Sequence, residues 1–356
     1  MSAKCTRVVH IVRRFGPVGG MEKYVYELAK AQLAIGLDVN VVCESASDTA
    51  GGVTLHTVKG GAQKPRWLAM LRFSRRVSAL VRLQDWLASP TTVIHSHERT
   101  AVHQITTFHG PPIASVKSSK RLWFLSPRLW AWLWMEKREL FGGRSQIVVA
   151  NSETIRAQLQ ALYPSVKTRL SSRIGWPGVI ARDLSVVVSS CPNTVLFVGK
   201  EWRRKGLLKA IEAVEIARTI TPANNLQLMV VGPDPEAICG LLKGRPWVNA
   251  VGWEPAWAGK GGTLIHPAAV EPYGMVVAEA MRAGMKVLVS SESGVAAHYP
   301  VPQLSANSPA RDWAQDLVAL MAAALGPVSP LFSWNDLAGL TMHDYNEICV
   351  ARALEL

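Results

Sequence analysis

Glu271 and Glu279 stand with seven residues between them in HPAAVEPYGMVVAEAMRAGMKVLVS, His266 to Ser290. A buried carboxylate is costly unless it is neutral or bonded to donors, and a sugar or ribose diol offers two hydroxyl donors. The stretch reads as a strand end (Thr263 to His266), a loop punctuated by Pro and Gly, a helix from about Met275 to Ala283, and a strand from Lys286 to Val289. Glu271 falls in the loop before the helix, where unpaired amides and the positive end of the dipole collect. Val276, Val277, Ala278, Ala280 and Met281 surround Glu279, which predicts a helix buried between sheet and neighbours. Such a pair could hold a neutral polyol beside an anion. The spacing alone equally allows a loop glutamate and a helix glutamate paired with Arg282.

Three further groups have the same potential. Lys200, Arg203, Arg204 and Lys205 follow the strand Thr194 to Val198 in VGKEWRRKG, and an anion such as a diphosphate would relieve their mutual repulsion. Solvent screening is the alternative. Gly19 and Gly20 stand at the start of a helix running from about Met21 to Ile35, where glycines admit a ligand to the amides and the helix end suits a phosphate. Their spacing matches neither the dinucleotide-binding fingerprint nor a Walker loop, and a glycine pair also serves a turn. TTVIHSHE and QITTFHG place His95, His97 and His109 at strand carboxyl ends, where parallel sheets bind ligands. His109, followed by Gly110, Pro111 and Pro112, is read as functional; His95 and His97 are read as structural.

The elements that position these groups come from an ordinary globular composition. The 356 residues are 49% hydrophobic and 18% charged, enough for two domains with cores of their own. No apolar run reaches bilayer length and the N-terminal residues lack a signal-peptide pattern, so a cytoplasmic protein is expected. Five scattered cysteines without C-x-x-C spacing are expected to be reduced core thiols. The net charge of +13 is uneven, +15 over residues 1–180 and −2 over the rest, so the first half is expected to meet nucleic acid, an anionic membrane face or a phosphorylated substrate. Strand and helix signals alternate throughout, which predicts parallel sheets built from βαβ units. Residues 66–87 interleave arginine with leucine as an amphipathic helix. Ser126 and Pro127 start a helix bearing Trp130, Trp132 and Trp134, preceded by Trp123 and Phe124, and beside Lys120, Arg121 and Arg128 these rings suit a membrane surface or an acceptor; filling a core is the other use. Residues 171–193 read as a linker and the last 24 residues as one amphipathic helix.

Taken in order, GPVGG, HSHE, TTFHG, VVANSE, VGKEWRRKG, the two-glutamate segment and a closing SW helix resemble the family 4 retaining glycosyltransferases. The wording around HPA and Arg-Lys-Gly is similar to enzymes of the lipopolysaccharide core. The resemblance implies an α/β GT-B fold, two facing Rossmann-like domains with a ligand cleft between them: an acceptor-binding domain at 1–175, a nucleotide-sugar domain at 176–335, and a helix at 336–356 packing back on the first. It implies that Glu271 binds donor-sugar hydroxyls with amides of Tyr273, Gly274, Met275 and Val276 helping, that Glu279 takes the ribose hydroxyls, and that Lys205 with Lys200 neutralises the diphosphate, Arg204 sharing or replacing Lys200. Gly19 and Gly20 would approach the phosphates and acceptor, and His109 would contact the donor sugar near the reacting carbon. His109, Lys205 and Glu271 form the implied catalytic set, with Trp123, Trp130 and Trp134 at membrane or acceptor. The implied reaction moves a hexose or heptose from a nucleotide-diphosphate sugar to a saccharide or glycolipid acceptor at the anionic inner-membrane surface, with no metal and no cofactor. No D-x-D motif is present, in keeping with that. A nucleotide-sugar epimerase of similar fold and a basic nucleic-acid-binding protein are the alternatives; against the latter, no RNP, KH or zinc-finger pattern occurs.

Overall fold

A computed structural model describes residues 4–116, 122–179, 191–220, 225–323 and 331–354. Lys120 and Arg121, and residues 180–190 of the expected linker, lie outside the described residues. The chain divides into two compact units, Met1–Gly178 with Phe332–Leu356, and Val179–Leu331.

The first unit runs β1 (Arg7–Ile11), β2 (Arg14–Phe15), α1 (Gly20–Ala34), β3 (Asp38–Cys43), β4 (Ser45–Ala46), β5 (Thr54–Thr57), α2 (Arg66–Leu83), β6 (Thr92–Ser96), β7 (Ile105–Phe108), α3 (Pro127–Phe141), β8 (Ile147–Ala150) and α4 (Glu153–Leu162). Its six-stranded sheet has the order β5-β3-β1-β6-β7-β8, and every pairing is parallel. Helices cover both faces, so β6 is buried at all five positions and reads as a continuous run without alternation. Phe73, Val77 and Val81 of α2 and Met135 of α3 pack on Val9, Ile11 and Ile94. A fully buried side chain of that size contributes about 2 kcal/mol. Ser126 caps α3 by accepting from the Leu129 amide at 3.4 Å, with Pro127 at the first helical position, and Ser152 caps α4 from Ile155 at 3.2 Å.

The second unit repeats the plan with β9 (Thr194–Val198), α5 (Leu207–Ile220), β10 (Gln227–Val231), α6 (Pro235–Leu242), β11 (Val248–Gly252), β12 (Thr263–His266), α7 (Met275–Arg282), β13 (Lys286–Ser290), α8 (Gly294–His298), β14 (Gln303–Leu304) and α9 (Ala310–Ala322). Its sheet is also all parallel, ordered β11-β10-β9-β12-β13-β14. Both sheets therefore reverse winding direction beside their first strand, between β1 and β6 and between β9 and β12. In open α/β sheets the loops leaving such a pair diverge, and the crevice at their carboxyl ends takes the ligand. The final helix, α10 (Trp334–Leu354), belongs to the first unit, where Gln32 of α1 donates to Thr341 and Tyr345.

Several expectations are corrected. Only Val277, Ala278 and Ala280 of α7 are buried, and Glu279 is half-buried, because the short helix covers the sheet with one face only. Cys5, Cys43 and Cys349 are core thiols, but Cys191 and Cys239 are exposed, in the turn before β9 and on the outer face of α6. Helix α2 stops at Leu83, which is 80% exposed, short of residue 87. The buried face of α10 keeps helical spacing yet includes Thr341 and Asp344, so its polarity pattern is weaker than an apolar stripe. Among the described residues no helix is long and apolar enough to cross a membrane.

Candidate functional site

In the second unit the chain leaves β9 through Gly199 and returns to α5 through Gly206, and both glycines are forced by close approaches. Gly199 has φ +151, and a Cβ there would stand 2.3 Å from Lys205 Cδ; Gly206 has φ +80, and its Cβ would stand 2.1 Å from the Pro267 carbonyl oxygen. Lys205 is thereby laid across the end of β9 against the loop that follows β12. Its Nζ lies 3.4 Å from Glu271 Oε2, and Arg204 Nη1 lies 3.4 Å from the same oxygen. Arg204 also bonds Glu201, at 2.6 Å, and the Val270 carbonyl.

Glu271 is 8% exposed. Burial pushes its carboxyl up, but His266, Lys205 and Arg204 more than offset this and hold it at about 2. His266 Nε2 is 3.5 Å from Glu271 Oε2, a charge-dipole contact outside good hydrogen-bond geometry, and both buried His266 ring nitrogens have no hydrogen-bond partner among the described residues. After Glu271 the backbone turns through Gly274, and the amides of Met275 and Val276 open α7. Tyr273 is buried, its hydroxyl 2.8 Å from His298 Nδ1, so that ring anchors the loop. Lys200 is exposed, its Nζ 4.8 Å from the Trp253 ring centroid, and the Arg203 guanidinium stacks on Trp202 at 4.4 Å. The four cations are thus not mutually unrelieved, as their spacing suggested: Arg204 and Lys205 face carboxylates, while Lys200 and Arg203 face indoles.

The structure brings Lys205, Arg204 and Glu271 into contact at the switch point of this sheet, with Tyr273, Gly274, Met275 and Val276 continuing from it. Glu279 follows on α7 and Lys200 on the outer side of the basic loop. Sequence reading gave His266 no role of its own. Its position at the last residue of β12, in the same sheet layer as the start of the Glu271 loop, was the available signal.

Gly19, Gly20 and His109 belong to the first unit. Gly19 is the N-cap of α1, and a Cβ there would stand 2.5 Å from Glu22 Oε2, while a Cβ at Gly20 would meet nothing within 4 Å among the described residues. Glu22, paired with Arg14, already places a carboxylate in the first turn of α1. His109 lines a cavity of about 140 Å³ with His97, Glu98, Arg99 and Glu139 at the carboxyl ends of β6 and β7. Arg99 bridges Glu136 and Glu139 at 3.1 and 3.0 Å. Burial raises Glu98, and likewise Glu139, to about 7, with nearby arginines opposing it. These acids were not singled out by sequence, since only the fold brings β6, β7 and α3 to one cavity. The surface tryptophans divide: Trp130 and Trp134 are 53% and 51% exposed, Trp132 packs on the core, and Trp123 is half-buried, its ring 5.3 Å from Trp130.

Burial also lowers six histidines of this unit: His10 and His103 to about 4, His109 to about 3, His56 below its ordinary value, and His95 and His97 well below it. Each binds its proton more weakly when folded, so its contribution to stability is complete above the unfolded value near 6.5 and is lost as pH falls toward 4. Glu98 and Glu139 act oppositely between pH 7 and 4.5. The histidines outnumber the two acids, so the net effect is a loss of stability as pH falls below 6.5. Thermal melts between pH 7.5 and 4.5 should show Tm falling sharply below 6.5. A flat profile would mean these histidines are solvated.

Two family models match the chain, Glycosyltransferase Family 4 over residues 18–171 and Glycosyl transferases group 1 over residues 192–323. No curated protein sequence matches at significance. Among solved structures the chain is similar to WaaG, a glycosyltransferase involved in lipopolysaccharide biosynthesis, at 18% identity over 96% of this chain and 95% of that one with a TM-score of 0.75. It is similar to the lipopolysaccharide outer core galactosyltransferase WaaB at 14% identity over 97% and 99%, TM-score 0.56. It is also similar to HepE of Anabaena in complex with UDP and glucose, at 12% identity over 98% of each chain, TM-score 0.59.

Proposed function

From a chain that belongs to the family 4-type glycosyltransferases of GT-B fold, we propose an enzyme that transfers a hexose or heptose, with retention, from a nucleotide-diphosphate sugar to a lipopolysaccharide-core or other lipid-linked saccharide. The observation that carries this reading is the contact of Lys205 and Arg204 with the buried Glu271 at the switch point of the second sheet. Cleaving a sugar–diphosphate bond builds negative charge on the leaving oxygen, and fixed cations beside a helix start stabilise it. Glu271 offsets the repulsion between the two cations. When the diphosphate takes the cations, the Glu271 oxygens are released to accept from sugar hydroxyls, and Glu279 meets the ribose. His109 contacts the sugar near the reacting carbon. The cations meet the diphosphate charge, so turnover should be unchanged by EDTA.

The deciding experiment is release of nucleotide from a panel of UDP-, GDP-, ADP- and TDP-sugars by the purified protein given lipopolysaccharide-core acceptor. The UDP-glucose complex of HepE puts UDP-sugars first in that panel. One donor should turn over in an acceptor-dependent manner; silence from all four nucleotide classes counts against the reading.

The acceptor's location is proposed from the surface of the first unit. Leu122, Phe124, Leu125, Trp130 and Trp134 are each at least half exposed around the start of α3, and Arg138 stacks on Trp134 at 4.4 Å. Apolar rings beside cations, on the half with charge +15, suit an anionic leaflet. Flotation of the full chain with vesicles containing anionic lipid should weaken roughly ten- to hundred-fold on Trp130→Ala with Trp134→Ala, from the apolar area withdrawn. Flotation that ignores both the lipid charge and the substitutions would remove the membrane from this proposal.

A further inference from the structure

One hydrogen-bonded line runs through the first unit from the C-terminal helix to the cavity. It links Thr341 and Tyr345 of α10, Gln32 of α1, His10 of β1, His97 after β6 and His109 after β7. The proton positions along it follow from its far end. The Thr341 hydroxyl donates to the Ala338 carbonyl at 2.9 Å, so toward Gln32 Nε2, 3.1 Å away, it accepts. Tyr345 accepts the other Gln32 N–H at 3.0 Å and donates its own hydrogen to His95 Nδ1 at 2.7 Å. The reverse amide orientation would leave one N–H without an acceptor at a fully buried residue, which is the costlier arrangement.

Gln32 Oε1 therefore faces His10 Nε2, at 2.7 Å, and an amide oxygen only accepts. His10 Nε2 carries the proton. Burial keeps His10 neutral, so its Nδ1 is a lone pair, and His97 Nε2 donates to it across 3.0 Å. The same step repeats, and His109 Nε2 donates to His97 Nδ1 across 2.9 Å. His109 is left with one ring nitrogen that has no proton and no hydrogen bond among the described residues. We infer that the C-terminal helix, acting through Gln32, sets the tautomer of His109, so that this residue offers the cavity a hydrogen-bond acceptor at Nδ1. A hydroxyl that meets His109 there must donate. Gln32 and Thr341 do not line the cavity and are positioning residues.

Two other roles for the cluster are disfavoured by the same bonds. The line ends on an amide oxygen, which takes no full proton near neutrality, so it is a lock and not a relay. His10, His95 and His97 bring ring nitrogens within 4.8 Å of one another, as a metal site would. All six of their nitrogens are already committed, those of His95 to Tyr345 and, at 2.8 Å, to Thr107.

The bearing on catalysis rests on the proposed role of His109, but the tautomer can be read without activity. Long-range proton–nitrogen spectra of the full chain labelled at its nine histidines, assigned by single replacements, should show His10, His97 and His109 neutral at pH 7 with the proton on Nε2. Gln32→Leu removes the terminal acceptor, and because a buried orphan N–H is harder to tolerate than an orphan acceptor, the line should invert and the Nδ1–H form appear at His109. In that variant kcat should fall about tenfold with the donor KM within twofold, and Gln32→Glu should restore both the tautomer and the turnover. A proton on His109 Nδ1 in the unaltered protein, or tautomers unmoved by Gln32→Leu, would overturn the inference. The first of these is decisive even if the variant does not fold. Tautomers that invert without any change in turnover would leave the inference standing and remove His109 from the reaction.

Discussion

Lys205→Ala should lower kcat by about three orders of magnitude while leaving the protein folded. One preorganised donor or cation aimed at a developing oxyanion is worth about 10²–10³ in rate, and a full charge in a largely water-excluded position belongs at the upper end. Lys205 occupies such a position, with only 13% of its side chain exposed and its stem crossing Gly199. Lys200, exposed over the Trp253 ring, is solvent-screened, so Lys200→Ala should cost less than about tenfold. Gly199→Ala should behave like Lys205→Ala, since a methyl there occupies the space of the lysine stem. Nucleotide release under saturating donor measures all three. A Lys205→Ala enzyme within threefold of the unaltered protein would take the leaving-group role away from Lys205.

Glu271→Gln should reduce kcat/KM for the donor by about 10²–10³, because each hydroxyl donating to a charged acceptor contributes about 1.5–3 kcal/mol and a carboxylate at this position serves two. It should also lower the melting temperature at neutral pH. The carboxyl is held at about 2 when folded against about 4.5 unfolded, so its ion contacts contribute about 3 kcal/mol above pH 4.5, lost as pH falls toward 2. The substitution leaves Lys205 and Arg204 facing a neutral amide. The difference between the two proteins should be largest near neutral pH and should shrink as pH falls below 4.5. Unchanged turnover in Glu271→Gln would exclude a donor-sugar role for this residue, whatever the melts show.

Much of the second sheet's site was legible in linear order because it is built from two short loops. VGKEWRRKG and the loop from Pro267 to Gly274 each follow a strand, and strand carboxyl ends are recognisable from the run of apolar residues before them. The partners within those loops were not legible. Spacing suggested four cations awaiting an anion, but the fold sends Lys200 and Arg203 onto Trp253 and Trp202, which neither charge nor periodicity announces. Helix α7 departs from expectation for a related reason: apolar residues on every side imply burial on every side only if neighbours exist on every side, and this eight-residue helix over β12 and β13 has its far face only partly covered.

By itself the sequence determined the alternating parallel architecture, the caps of α3 and α4, the order of the motifs and the positions of Glu271, Lys205 and His109 at strand ends, because these depend on local propensity and short-range pattern. Only tertiary structure decided which groups meet. His10, Gln32, His97, His109 and Thr341 are separated by up to 309 residues between hydrogen-bonded neighbours, and no local pattern marks a polar residue on a buried helix face as one end of a line. The same holds for Glu98, Arg99 and Glu139, whose shared cavity exists only because β6, β7 and α3 pack together. Local pattern places a titratable side chain on an element; its proton is placed by whatever the packing sets opposite it, as Gln32 is set opposite His10.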